Sequence, residues 1–252
     1  MTQDLVLCLN TVCSKAEGRD KLARFFQYMC RALLGFISFS APTAGSRMFK
    51  LEEVARTSMT NLTAARRTHR WFKEVPVIQS IPKSLALEDP VDRVLEVLTK
   101  TLLAAFFIID HIGLLKQWKI LPGGKRAGSG TIQLGLKVFC LSNVFGIIFQ
   151  MKKFFALAAK EEKSPEEMTC LKLATKHLLL IIQTAHMSLL WKSHDALVGI
   201  AGMITSAMDV HGQLPLKARP SPPAAVAPPK AAPEAEAATP ALTESGVKVK
   251  SS

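Results

Sequence analysis

The residues of this 252-residue chain that could do chemistry are few and poorly grouped. Gly123-Gly124-Lys125-Arg126-Ala127-Gly128-Ser129-Gly130 has the amides and the lysine that could cradle a phosphate. A phosphate-binding loop, however, needs Gly where Lys119 stands and Ser or Thr where Arg126 stands. The stretch reads instead as a basic loop between two helices. Asp110-His111, inside an apolar run, has the make-up of an acid/base pair, and His177, His186 and His194 that of metal ligands. His177 and His186, nine residues apart, project to opposite sides of a helix, and no Cys or carboxylate completes a set. Asp110 and His111 are therefore expected to be structural or interfacial. The five cysteines, Cys8, Cys13, Cys30, Cys140 and Cys170, are odd in number without a C-x-x-C pair, so neither a disulfide framework nor a zinc site is expected. Such thiols suit a reducing compartment. No catalytic residue, metal or cofactor is nominated, and the chain is not expected to be an enzyme.

The stronger signal is charge combined with hydrophobicity. Lys and Arg outnumber Asp and Glu by 32 to 20, a net +12, while 48% of residues are hydrophobic and only 7% aromatic. A basic chain seeks an anionic partner, and this apolar content favours a lipid surface over nucleic acid. The periodicity is helical throughout residues 1–217, with Pro and Gly at the breaks. Residues 18–37 place Leu22, Phe25, Phe26, Met29, Leu33, Phe36 and Ile37 on one stripe of a basic helix. Residues 47–75 read as a second helix, with Leu51, Val54, Ala55, Met59, Leu62, Ala65 and Phe72 flanked by seven Lys/Arg against three Glu. Arg56, Arg66, Arg67, Arg70 and Lys73, with Leu62, Trp71 and Phe72, are the candidate membrane-binding residues, since basic side chains beside a buried stripe each add about 1 kcal/mol on anionic lipid. The same stripe would serve equally as the core face of a surface helix.

Later segments are more apolar: 94–115, 132–151, 178–191 and 196–208. A membrane span needs about 20 largely apolar residues. Only 132–151 approaches that length, so one or two spans are expected, with other helices lying in the interface. The tail 218–252 has seven Pro and ten Ala among 35 residues and no aromatic residue, and is expected to be disordered. The first ten residues have no basic n-region, which suggests synthesis on free ribosomes and a cytosolic face.

Four stretches in order give the chain a family likeness. Gly18-Arg19-Asp20-Lys21-Leu22-Ala23-Arg24-Phe25-Phe26-Gln27-Tyr28, followed by Cys30-Arg31, resembles the N-terminal signature of the peroxisomal membrane protein 11 family. Leu62 to Trp71 is similar to that family's basic amphipathic helix, Ile109-Asp110-His111-Ile112 to its mid-chain element, and Val198-Gly199-Ile200-Ala201-Gly202-Met203-Ile204-Thr205-Ser206 to its C-terminal membrane segment. The likeness covers about residues 8–212. One departure is Asp209-Val210-His211-Gly212, standing where a Trp commonly follows the last segment.

The resemblance implies an all-α protein of the peroxisomal or glycosomal membrane with both termini facing the cytosol. It implies elongation and bending of that membrane by an inserted amphipathic helix, fission and proliferation of the organelle, homo-oligomerisation, and recruitment of a fission adaptor and a dynamin-related GTPase. A channel for small metabolites is the alternative, with Gln133, Lys137 and Asn143 as its polar candidates. Gly199, Gly202 and Ser206 present small residues three and four apart, the expected self-association face. Lys248 and Lys250 lie near the end of the tail with the spacing of a dilysine signal for coatomer. The expected organisation is a remodelling region at 1–75, a mid-chain helix and basic loop at 76–131, membrane-embedded helices at 132–212 and a tail at 213–252.

Overall fold

The computed structural model describes residues 10–124, 127–160 and 164–214, and among them the protein is helical without strands. Seven long helices follow one another: α1 (Ala16–Ile37), α2 (Arg47–Thr68), α3 (Glu74–Leu85), α4 (Pro90–Gln117), α5 (Gly128–Ala158), α6 (Pro165–Met187) and α7 (Asp195–His211). Local chemistry sets their starts. Ser46 accepts from the Phe49 amide to open α2, and Asp89 accepts from the Val91 and Asp92 amides ahead of Pro90 at the first position of α4. Ser164 and Glu167 cap α6 reciprocally.

The helix expected over 47–75 is two helices. It stops at Thr68, and the chain turns through Phe72 with φ of 64° before α3 begins. Neither Gly nor Pro marks this break, which is why periodicity runs through it. Pro76 falls in the first turn of α3, where its missing N–H is no loss, and Pro82 lies within the helix rather than ending it.

Packing follows a simple order. α4 lies against α5, α5 against α6, α6 against α7 and α7 against α1; α2 lies on α1 and reaches α4, while α3 lies on α4. Close crossings depend on small residues. A Cβ on Gly199 would sit 2.3 Å from the Ala32 amide nitrogen, and one on Gly202 would sit 2.0 Å from the Tyr28 ring.

Beside a buried core that includes Tyr28, Ile37, Phe106, Phe149 and Val198, many large apolar side chains face outward and many small or polar ones inward. α7 buries Gly199, Ala201, Gly202, Thr205 and Ser206 and exposes Leu197, Ile200 and Ile204. α5 buries Gly135, Ser142, Asn143 and Gly146 and exposes Leu134, Leu141, Ile148 and Phe155. α1 buries Asp20 and Gln27 and exposes Phe26, Met29 and Phe36. Large apolar side chains facing outward and small or polar ones inward are what hydrocarbon surroundings permit, because lipid gives no incentive to bury Leu.

α4 and α5 are long and apolar enough to cross a membrane, and only 28% and 39% of their most apolar stretches are buried. At 28 and 31 residues they rise about 42 and 46 Å, more than the hydrocarbon thickness of about 30 Å. The first of them lies in the region read from sequence as a mid-chain helix.

Candidate functional site

Asp20 is the centre of a buried ionic cluster. Its carboxylate meets Arg66 Nε at 3.1 Å and Lys73 Nζ at 3.1 Å, and the Asp20 and Arg66 side chains are only 5% and 6% exposed. Arg66 also donates to the Gln27 amide oxygen, and Gln27 Nε2 donates to Thr63 Oγ1 at 2.6 Å. Burial alone would raise the Asp20 carboxyl, but Arg66, Arg70 and Lys73 outweigh it and hold it well below the usual carboxylate range. Burial and then Arg70 push Arg66 down, to about 9, which leaves it cationic at neutral pH.

The cluster continues into α4. Arg70 approaches Asp110 at 3.6 Å, and His111 lies 3.2 Å from the Arg70 carbonyl through Nε2. The His111 Nδ1 is turned to Glu74 Oε2, 3.6 Å away. Trp71 stacks on His111 at 5.1 Å and on Trp118 at 6.3 Å. On the other side Asp209 of α7 takes Lys21 at 2.8 Å, Arg24 at 3.5 Å and Lys176 of α6. Arg24 donates to Gln183 at 3.0 Å and to Thr205 at 3.1 Å. Burial pushes Lys21 down against the pull of Asp209; Asp209 is held low, because Lys21 and Lys176 outweigh its own burial.

The expected membrane-binding residues divide between two environments. Arg56 is exposed and pairs with Glu52 at 2.6 Å, and Phe72 is 70% exposed. Arg66 is buried on Asp20, and Arg67, Arg70 and Lys73 line a cavity between α1, α2, α4, α5 and α6. Leu62 and Trp71 are half-buried. In this arrangement the cations of the last two turns of α2 face carboxylates and amides of the chain itself, because buried cations require such partners.

Gly18 is buried where a Cβ would lie 1.8 Å from the Val12 carbonyl oxygen; Arg19 is exposed and donates to the Cys13 carbonyl at 2.9 Å. Lys21 and Tyr28 face inward, Phe25 is half-buried and Phe26 faces out. Of the expected self-association residues Gly199, Gly202 and Ser206, the two glycines approach α1 of the same chain, and Ser206 is fully buried. Gln133, Lys137 and Asn143 do not line the cavity; Asn143 is buried against His177 Nδ1 at 2.9 Å. His177, His186 and His194 have separate surroundings, with His186 near Asp195 and His194 stacked on Phe39. Lys248 and Lys250 lie outside the described residues.

The four stretches singled out in the sequence thus meet at one place. A sequence model of the family described as Peroxisomal biogenesis factor 11 (PEX11) matches residues 8–214, which takes in every helix from α1 to α7. The chain belongs to the PEX11 family. No curated protein and no solved structure matches it. Membership makes it a peroxisome biogenesis factor of the peroxisomal membrane, acting in peroxisome proliferation and division, and the outward-facing apolar helices suit that location.

Arg24, Gln183, Thr205, Asp209 and Lys176 were not singled out from the sequence as site residues. Their signal is a polar or charged side chain within an apolar helical run, as in Leu178-Leu179-Leu180-Ile181-Ile182-Gln183-Thr184.

Proposed function

We propose that this PEX11 protein elongates and bends the peroxisomal membrane by seating the N-terminal half of α2 in one leaflet as a wedge. One observation carries the reading. Met48, Phe49, Leu51 and Val54 are 40–61% exposed beside Arg47, Lys50 and Arg56, and Ala55 is the one buried residue of α2 before Arg66. Four large apolar side chains exposed on one short stretch favour an interface, and the three cations interspersed with them favour anionic headgroups. Inserting such a helix expands one leaflet and curves the bilayer without catalysis.

The test is tubulation of liposomes by the full chain, followed by electron microscopy. Wild type is expected to draw tubules from vesicles containing anionic lipid, whereas Val54→Glu and Met48→Glu still co-float with vesicles and leave them round. Both positions are exposed, at 61% and 41%, so neither change opens a buried contact. Normal tubules from both variants would sink the wedge.

A further inference from the structure

The charges around the central cavity do not balance. Lys21, Arg24, Arg66, Arg67, Arg70 and Lys73 line it, and Lys176 stands behind through Asp209. Against these seven cations stand Asp20, Asp110 and Asp209, with the exposed Glu17 4.0 Å from Lys21, so the excess is three positive charges. Two guanidiniums have donors beyond those spent on acids. Arg67 reaches only the Gln117 amide, at 3.0 Å, and has no carboxylate partner among the described residues; Arg24 spends its short bonds on Gln183 and Thr205. Uncompensated cations in a part-buried cavity are costly, and the cost falls when an anion enters. Burial is the largest influence on Lys21, Arg66 and Arg67 and pushes all three down, with neighbouring cations adding to it and Asp209, Asp20 and Asp110 pulling the other way.

The cavity holds about 130 Å³, room for a small polyanionic group but not for a whole lipid, and its other wall is apolar, with Phe106, Phe107 and Phe139. Forked guanidiniums match the oxygens of phosphate, and a dianion offsets more of the excess than a carboxylate can. We propose that this cavity binds a phosphate group, a phosphomonoester carried either by a lipid headgroup whose chains leave along the apolar wall or by a soluble molecule. This site is distinct from the exposed cations of α2 on which the wedge depends.

The experiment uses the full chain in nanodiscs of neutral phosphatidylcholine. Inorganic phosphate and glycerol phosphate are titrated against acetate and decanoate at equal ionic strength, and a parallel set of discs contains phosphatidic acid; thermal unfolding midpoint and calorimetric affinity are read. The expected result is saturable stabilisation by the phosphate probes, or by phosphatidic acid alone if the headgroup is the source. Arg67→Gln should bind at least about tenfold more weakly, the loss of one charge-assisted hydrogen bond. That variant leaves no buried acid unpaired, so its fold is expected to persist, with circular dichroism as the check. Lys50→Gln with Arg56→Gln should bind as wild type does, and should instead lose tubulation if the wedge is correct. Equal stabilisation by acetate or decanoate, no stabilisation by any phosphate probe, or full binding by Arg67→Gln would overturn the proposal, whatever the liposomes do.

Discussion

Replacing Asp20 by Asn tests whether the cluster or the apolar packing holds α2 on α1. The Asp20 and Arg66 side chains are 5% and 6% exposed, so this pair does not behave like a surface ion pair worth about 0–1 kcal/mol. Removing one partner of a buried pair leaves the other charge uncompensated and costs about 3–5 kcal/mol. Here the orphan is Arg66, with the Gln27 amide as its remaining partner in a cavity that already has an excess of cations. Lys73 also loses a partner but is 23% exposed and can turn to water. Arg66→Met alone should cost a similar amount, and the double variant should be less destabilised than the sum of the two by about 1–3 kcal/mol. Denaturant unfolding of the full chain in mild detergent, followed by circular dichroism, reads all three. The pH dependence has a definite sign: the folded carboxyl lies below its unfolded value of 3.8, so its contribution is complete above that value and is lost as pH falls towards the lower folded one. Asp20→Asn should flatten that acid limb, leaving the part due to Asp209. A cost below about 1 kcal/mol, or strict additivity of the double variant, would refute the reasoning and return the α1–α2 contact to hydrophobic packing.

Gly202→Ala would place a methyl group 2.0 Å from the Tyr28 ring, so α1 and α7 must part; a loss of about 1–3 kcal/mol in the same unfolding assay is expected, while Gly45→Ala meets no neighbouring atom and tests backbone strain alone at φ 81°. Asp89→Ala removes the acceptor for the Val91 and Asp92 amides and should cost about 1 kcal/mol, seen as a lower unfolding midpoint. His177, on α6 outside the two helices long and apolar enough to cross a membrane, is pushed down to about 4, first by burial and then by Lys176. Its neutral form is the one the fold favours, so stability should be complete above pH 6.5 and fall as pH drops towards 4, a slope that His177→Asn should reduce. A synthetic peptide ending in Lys248-Val249-Lys250-Ser251-Ser252 should retain coatomer from cytosol if the dilysine reading holds, and a peptide with Ser at both lysine positions should not.

Helical class was legible because the 3.6-residue period survives wherever one face of a helix is chemically unlike the other, as in 18–37, which is observed as Ala16–Ile37. What a period cannot name is the partner. Arg66, Arg70 and Lys73 stand beside an apolar stripe, and a cation there has two possible counter-charges, a lipid phosphate or a carboxylate of the same chain. The choice is made by Asp20, 46 residues from Arg66 in sequence, and by Asp110, 40 from Arg70. The same ambiguity surrounds Gly199 and Gly202: their spacing states that a helix comes close and is silent on whether it is a second copy or, as here, α1. Gln27, Gln183, Thr205 and Asp209 are polar side chains at positions where apolar ones would be expected, and each is tolerated in such a helix only with a partner. These polar residues on α1, α6 and α7 and the Arg residues of α2 meet in one polar centre. The polar faces bind the helices to one another, and the exposed apolar stripes suit a lipid surrounding.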